Sequence, residues 1–204
     1  MVLFAIINFY LSIFKLRQFL LSLSLLTLTA CGGGGGSSSS STSSDLVISG
    51  VALTGTAIDA GAVQVKCQSG TGTTTTGSDG SFTVTVTGGA RPCLLKVTDP
   101  ISSTDIHSLL ESGTVANISP VTDLVVSNTT GVTPSTAFTN YTTAIQSSIT
   151  SAKVAQAITV VQKTTESLGT DADMTGIDPL KISIKARQGD TAGDATDKKI
   201  DALM

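Results

Sequence analysis

The chain is poor in the residues from which most active sites are built. Its 204 residues include no Trp, one His, three Cys and two Tyr. Charged residues make up only 13%, and the balance is acidic, with 12 Lys and Arg against 15 Asp and Glu. Recognition of nucleic acid needs a basic patch that displaces counterions from phosphates. A formal charge of −3 and a pI near 4.9 argue against nucleic acid as a partner. A single His, with no Cys-x-x-Cys and no His-Glu-x-x-His, argues against a zinc site and against His-based catalysis. No cofactor or metal is expected. What the chain has in excess is Ser and Thr, 58 in all.

The first 30 residues read as an address rather than as part of a fold. Lys15 and Arg17 supply a positive region, followed by the apolar run Phe19, Leu20, Leu21, Leu23, Leu25, Leu26 and Leu28. The run ends in Leu28-Thr29-Ala30-Cys31, which resembles a bacterial lipobox. The resemblance implies cleavage before Cys31, diacylglycerol on its sulfur and an acyl chain on the new amino terminus. The alternative is an uncleaved membrane helix. Lys15 and Arg17 interrupt it, and neither flanking run reaches the roughly 18–20 residues of a span.

Gly32 to Gly36 and then Ser37 to Ser44, with Thr42 inserted, have no apolar side chain to bury and predict a flexible tether. Gly32, rather than Asp, follows the cysteine. By similarity to Gram-negative lipoproteins, this implies outer-membrane delivery, with the mature chain facing the periplasm or the cell surface. Cleavage removes two basic residues and no acidic ones, and leaves only Phe82, Phe138 and Tyr141 as aromatics. Any core must then be built from Val, Ile, Leu and Ala.

Residues 46–119 alternate with period two. Val63, Val65 and Cys67 share one face, as do Phe82, Val84 and Val86, and as do Cys93, Leu95 and Val97, the last less cleanly because Leu94 is apolar too. Turn signals separate the runs at Asp59 to Gly61, Ser69-Gly70, Gly77 to Gly80 and Gly88-Gly89. Further strands are expected at Leu46 to Val51, Ile106 to Leu109 and Val115 to Ile118, giving a β-sandwich. Cys67 and Cys93 both fall in the inward phase. In the oxidising compartment that the lipobox implies, a disulfide between them is expected. Two buried thiols, or a Cys nucleophile working with His107, are the alternatives.

Three stretches in this region are similar to carboxypeptidase regulatory-like (prealbumin-like) domains: Val47-Ile48-Ser49-Gly50-Val51, Ala60-Gly61-Ala62-Val63-Gln64-Val65 and Ser78-Asp79-Gly80-Ser81-Phe82. The resemblance implies a seven-stranded Greek-key sandwich that serves as a spacer, an adhesive module or an appendage. The chain also resembles a group of proteobacterial lipoproteins of unknown role. They share its Cys-Gly-rich start and a stretch like Ala116-Asn117-Ile118-Ser119-Pro120-Val121-Thr122-Asp123-Leu124.

From Pro120 the period becomes helical. Ser119 is the expected N-cap, Asp123 lies near the positive end of the dipole, and Val121, Leu124 and Val125 share a face. Thr133-Pro134 opens a second helix carrying Ala137, Phe138, Tyr141, Ala144, Ile145 and Ile149. Ser151 caps a third, with Val154, Ala155, Ile158, Val161 and Leu168 in its stripe and Gly169 as its stop. Residues 170–204 read as a polar, acidic tail with a short helix opening at Thr196-Asp197.

Several motifs invite sharper readings and fall short of them. Asp171-Ala172-Asp173-Met174-Thr175-Gly176 resembles the start of an EF-hand loop, but its twelfth position is Ile182 rather than a bidentate carboxylate. Gly72 to Gly77 lacks the Lys of a phosphate loop and reads as a polar edge or hairpin. The Thr83, Thr85 and Thr87 face is a solvated sheet face or a glycan-binding surface.

The expected architecture is α+β: a signal peptide at 1–30, lipidated Cys31 and linker at 31–45, a Greek-key β-sandwich at 46–119, and a small helical segment with acidic tail at 120–204. The expected function is that of a membrane-anchored envelope lipoprotein, a non-catalytic binding or structural module. Its expected partners are the membrane, through the lipid, and an envelope protein or glycan. A hydrolase or hydrolase accessory is the alternative, and would need a pocket around Asp105, His107 and a Ser.

Overall fold

Alternation of apolar and polar side chains in the first half produces strands, some with one buried and one open face and some, Ala90–Thr98 and Asp105–Leu110, covered on both. The computed structural model describes residues 44–204. The signal peptide, Cys31 and the linker as far as residue 43 lie outside the described residues. The strands are β1 (Leu46–Val51), β2 (Ala62–Ser69), β3 (Thr71–Thr75), β4 (Ser81–Val86), β5 (Ala90–Thr98) and β6 (Asp105–Leu110). All of their pairings are antiparallel, in a two-stranded sheet β1-β4 and a four-stranded sheet β3-β2-β5-β6. Five helices follow: α1 (Pro120–Thr130), α2 (Pro134–Thr139), α3 (Thr143–Ser148), α4 (Ser151–Glu166) and α5 (Ala195–Asp201). The fold is therefore α+β.

Two cores lie on opposite faces of the larger sheet. The first is shared by both sheets: Ile48 of β1 and Phe82, Val84 and Val86 of β4 join Val63 and Val65 of β2 and Leu95 and Val97 of β5. The second joins the other face of β5 and β6, through Leu94 and Leu109, to Val121 and Val125 of α1, Phe138 of α2 and Val154 and Val161 of α4. Leu94 thus breaks the alternation of β5 because helices cover what would otherwise be the solvent face. A sheet face covered on both sides reads as a continuous apolar run.

Four expectations need correction. Val115 to Ile118 is not a ladder strand. It makes only isolated parallel bridges, Ser49 to Val115 and Ala52 to Ile118, alongside β1. The second helix is broken at Asn140 into α2 and α3, with Asn140 outside the helical region as the α2 C-cap. Helical stripes were assigned one side too wide: Leu124 is 45% and Leu168 65% exposed, and Ala155 is exposed, whereas Thr122, Ala157 and Thr165 are buried. Small β-branched Thr fills positions that hydropathy alone assigns to solvent.

The fourth correction concerns the tail. Residues 170–194 have little regular structure, yet Met174, Leu180, Ile184 and Ala186 are buried in the second core, as is Ile200 of α5. Isolated apolar residues in a Gly/Asp-rich stretch have no period to betray them, so composition hid a structural strap. Its backbone is tied to the sheet end: Asn117 N–H donates to Leu180 O (2.8 Å) and Ala57 N–H to Arg187 O (2.8 Å).

Candidate functional site

The densest polar cluster sits where α1 meets the edge of β6. β6 pairs with β5 on one side only, leaving backbone groups of His107 unpaired. The N-terminus of α1 satisfies both. The Thr122 hydroxyl donates to His107 O (2.7 Å), and the Asp123 carboxylate accepts from His107 N–H (2.7 Å). Ser119 and Thr122 form a reciprocal capping box, Oγ1 of Thr122 accepting from Ser119 N–H (2.9 Å) and Oγ of Ser119 from Thr122 N–H (3.3 Å). Covering an edge with a capped helix removes a template for unwanted strand pairing.

His107 itself is 3% exposed. Its Nδ1 lies 3.0 Å from Asp123 Oδ1, its ring is tilted against Phe138 at 5.9 Å between centroids, and its Nε2 has no partner. Lys66 Nζ lies 4.6 Å from the Phe138 ring centroid and donates to Phe138 O (2.9 Å). Lys96 pairs with Asp105 at 2.9 Å, and the Thr98 hydroxyl also donates to Asp105. Burial raises the Asp105 carboxyl, but the Thr98 hydroxyl and Lys96 outweigh it and hold it below the usual range. Both lysine heads thus lie near the Phe138 ring, Lys66 satisfied by the Phe138 carbonyl and Lys96 by Asp105.

The chemistry available here is limited. A His–Asp pair activates a nucleophile only when a hydroxyl or thiol reaches Nε2. Ser108 is adjacent in sequence but points to the other face of β6, opposite Leu95, where its own hydroxyl is buried without a partner. The Thr122 hydroxyl already donates to the His107 carbonyl. The structure brings Asp105 and His107 onto the same strand and face, but gives them different partners, Lys96 and Asp123 respectively.

Cys67 of β2 and Cys93 of β5 are directly opposite in the register, with sulfurs 1.96 Å apart. Both are buried in the first core. The link lies between neighbouring strands of one sheet and does not bridge the two sheets. The Asp171–Asp178 stretch turns on itself: Asp173 Oδ1 accepts from Thr175 N–H (2.8 Å) and Asp178 Oδ1 from Leu180 N–H (3.0 Å). Among the described residues, no three His, Cys, Asp or Glu side chains converge to hold a metal.

The outer face of the β1-β4 sheet is different in kind, because among the described residues no helix covers it. Thr83 and Thr85 of β4 stand exposed opposite Ser49 and Val47 of β1, and Val47 is 47% exposed. Beside this face runs a shallow groove of ≈ 390 Å³, bounded by Ser49, Ser81, Thr83 and the 181–184 segment. Lys181 lines the groove, its ammonium held by Ser112 Oγ (3.0 Å) and Glu111 (3.5 Å).

Asn117 was not singled out by its chemistry in the sequence, yet it fastens the strap to this sheet. It accepts from Val51 N–H (3.2 Å) and donates to Ile182 O (2.7 Å) while 2% exposed. The signal for it is its place in the stretch 116–124, whose Asn117, Ser119, Thr122 and Asp123 all hold elements together. Comparison with family models, with curated proteins and with solved structures finds no match.

Proposed function

We propose that the protein is a lipid-anchored envelope lipoprotein whose folded part is a non-catalytic binding or structural module. The observation that carries this reading is the order of segments. Leu28-Thr29-Ala30-Cys31 is followed at once by the Gly/Ser tract, and the first strand begins directly after it at Leu46. Three acyl chains on Cys31, each contributing ~0.8 kcal/mol per buried CH₂, anchor such a chain durably. Gly32 favours the outer membrane, with the domain on its periplasmic or outer side.

The folded part is read as a Greek-key sandwich of the carboxypeptidase regulatory-like (prealbumin-like) type, a reading supported by two antiparallel sheets sharing one core. A non-catalytic role is supported by His107, whose Nε2 meets no hydroxyl or thiol. The open Thr83/Thr85 face and its groove are the surface assigned to an envelope protein or glycan. Such a face offers hydroxyls for hydrogen bonding and few rings for stacking.

The decisive measurement is the intact mass of the membrane-extracted protein. A mass starting at Cys31 and augmented by acyl chains is the expected result, and an unprocessed amino terminus would sink the reading. Capture of an envelope protein or a purified glycan should then be lost on Thr83→Lys at unchanged thermal stability. Capture that survives this substitution moves the partner to another surface.

A further inference from the structure

Helix α5 carries a carboxylate in the wrong place for an ionised group. Asp197 is 1% exposed, and no donor meets its oxygens in hydrogen-bond geometry, the Arg187 backbone N–H approaching without completing a bond. One turn later, Oδ1 of Asp201 is also buried and unpartnered. Their neighbour Asp194 is fully engaged: Oδ1 accepts from Thr196 N–H (3.0 Å) and Asp197 N–H (2.9 Å), and Oδ2 from Lys185 N–H (2.8 Å). Ile200, 0% exposed in the second core, holds the helix down and so fixes Asp197 inside.

The surroundings are built tightly around this carboxyl. A Cβ placed on Gly193 would overlap Asp197 Oδ2, and one on Gly55 would lie 3.3 Å from Asp201 Oδ1. Arg187 donates its Nε to Gly55 O (3.3 Å). The corner 53–58 against which the strap rests contains no charged residue. The charges that bear on Asp197 are therefore Arg187, which attracts, and Asp194 and Asp201, which repel.

An ionised carboxylate buried without donors is among the costliest arrangements in a protein, and neutralisation is the usual escape. A proton and a cation are the two ways to supply it. The absence, among the described residues, of three converging ligand side chains favours the proton. We propose that Asp197 is held as a carboxylic acid, so that α5 is a latch closed by protonation and loosened by ionisation.

Burial pushes the Asp197 carboxyl above its ordinary value; a backbone N–H of Arg187 opposes this, and Asp201 and Asp194 reinforce it. The folded chain thus holds this proton more tightly than the unfolded chain. The latch is fully closed below the ordinary carboxylate range, and its stability declines as pH rises through the range in which the folded group ionises.

The test is hydrogen exchange of residues 184–204 in the intact protein, corrected for intrinsic rates, between pH 5 and pH 8. Protection of α5 should fall by up to about tenfold per pH unit between the ordinary carboxylate range and the folded ionisation point, and level off above it. In Asp197→Asn, which keeps a neutral, similarly sized side chain, protection should stay high and flat. A flat wild-type profile, or an Asp197→Asn profile that tracks the wild type, overturns the proposal. So does protection restored by calcium alone at pH 8 in the wild type, which would make the occupant a cation. Should the variant fail to fold, the ¹³C shift of the wild-type Asp197 carboxyl decides: titration in the ordinary carboxylate range overturns the latch, and titration above it upholds the latch.

Discussion

At the scale of single residues, a few buried polar side chains hold the elements in register. Asn117 is the clearest, because it takes a donor from β1 and gives one to the strap. Asn117→Ala leaves the Val51 N–H and the Ile182 carbonyl without their partner. A buried group so orphaned costs about 1–3 kcal/mol. A drop of that size in unfolding free energy, read from the urea midpoint at unchanged slope, is the expected outcome. A shift within error would show that water replaces the amide. Local chemistry made Ser119 and Pro120 legible beforehand, since a cap and a first-turn proline act within one helical turn. Asn117 was opaque because its partners lie 65 residues away in sequence, at Ile182, and 66 away, at Val51. The His107–Asp123 pair was hidden in the same way: each residue was read correctly by itself, His107 in a strand and Asp123 at a helix start, but nothing local says that the helix docks on the strand's edge.

At the scale of elements, period two and turn residues were enough to place five strands, and the phase of Cys67 and Cys93 was enough to predict that both face inward. Phase cannot say which strands are neighbours, so the position of the link between β2 and β5 of one sheet came only from the structure. Its separation of 26 residues closes a loop containing β3 and β4, the one that pairs with β1. Opening that loop in the Cys67→Ser/Cys93→Ser double variant restores chain freedom to the unfolded state, a loss of about 3 kcal/mol on the loop-closure model. Chemical denaturation of the oxidised wild type and the double variant measures it. Equal midpoints would mean that the strands are held by their ladder and core alone. The strap shows the opposite limit of legibility. Met174, Leu180 and Ile184 are spaced too irregularly for any period, and only the second core explains why they are there.

At the scale of the whole molecule, the sequence divides at Pro120 into a β part and a helical part, but the interior does not respect that division. β5 and β6 serve both cores at once, Leu95 and Val97 on one face and Leu94 and Leu109 on the other. α1 grips the edge of β6 through Thr122 and Asp123, and the strap returns to β1 through Asn117. Neither part can unfold without exposing an apolar face of the other. Loss of the helices would bare Leu94 and Leu109 and leave Lys66 without its Phe138 carbonyl. At roughly 25 cal/mol per Å² of apolar area, such exposure makes a half-folded state unfavourable. Two reporters distinguish the possibilities. Tyr141, whose hydroxyl donates to Pro92 O (2.6 Å), reports the seam between the helices and β5, and the amide NMR signals of β1 and β4 report the strands. Coincident urea transitions by the two signals are the expected outcome, as in a single cooperative unit. A Tyr141 transition that precedes loss of the strand signal would show instead that the sheets stand without the helices, and the boundary at Pro120 would then be a true domain boundary.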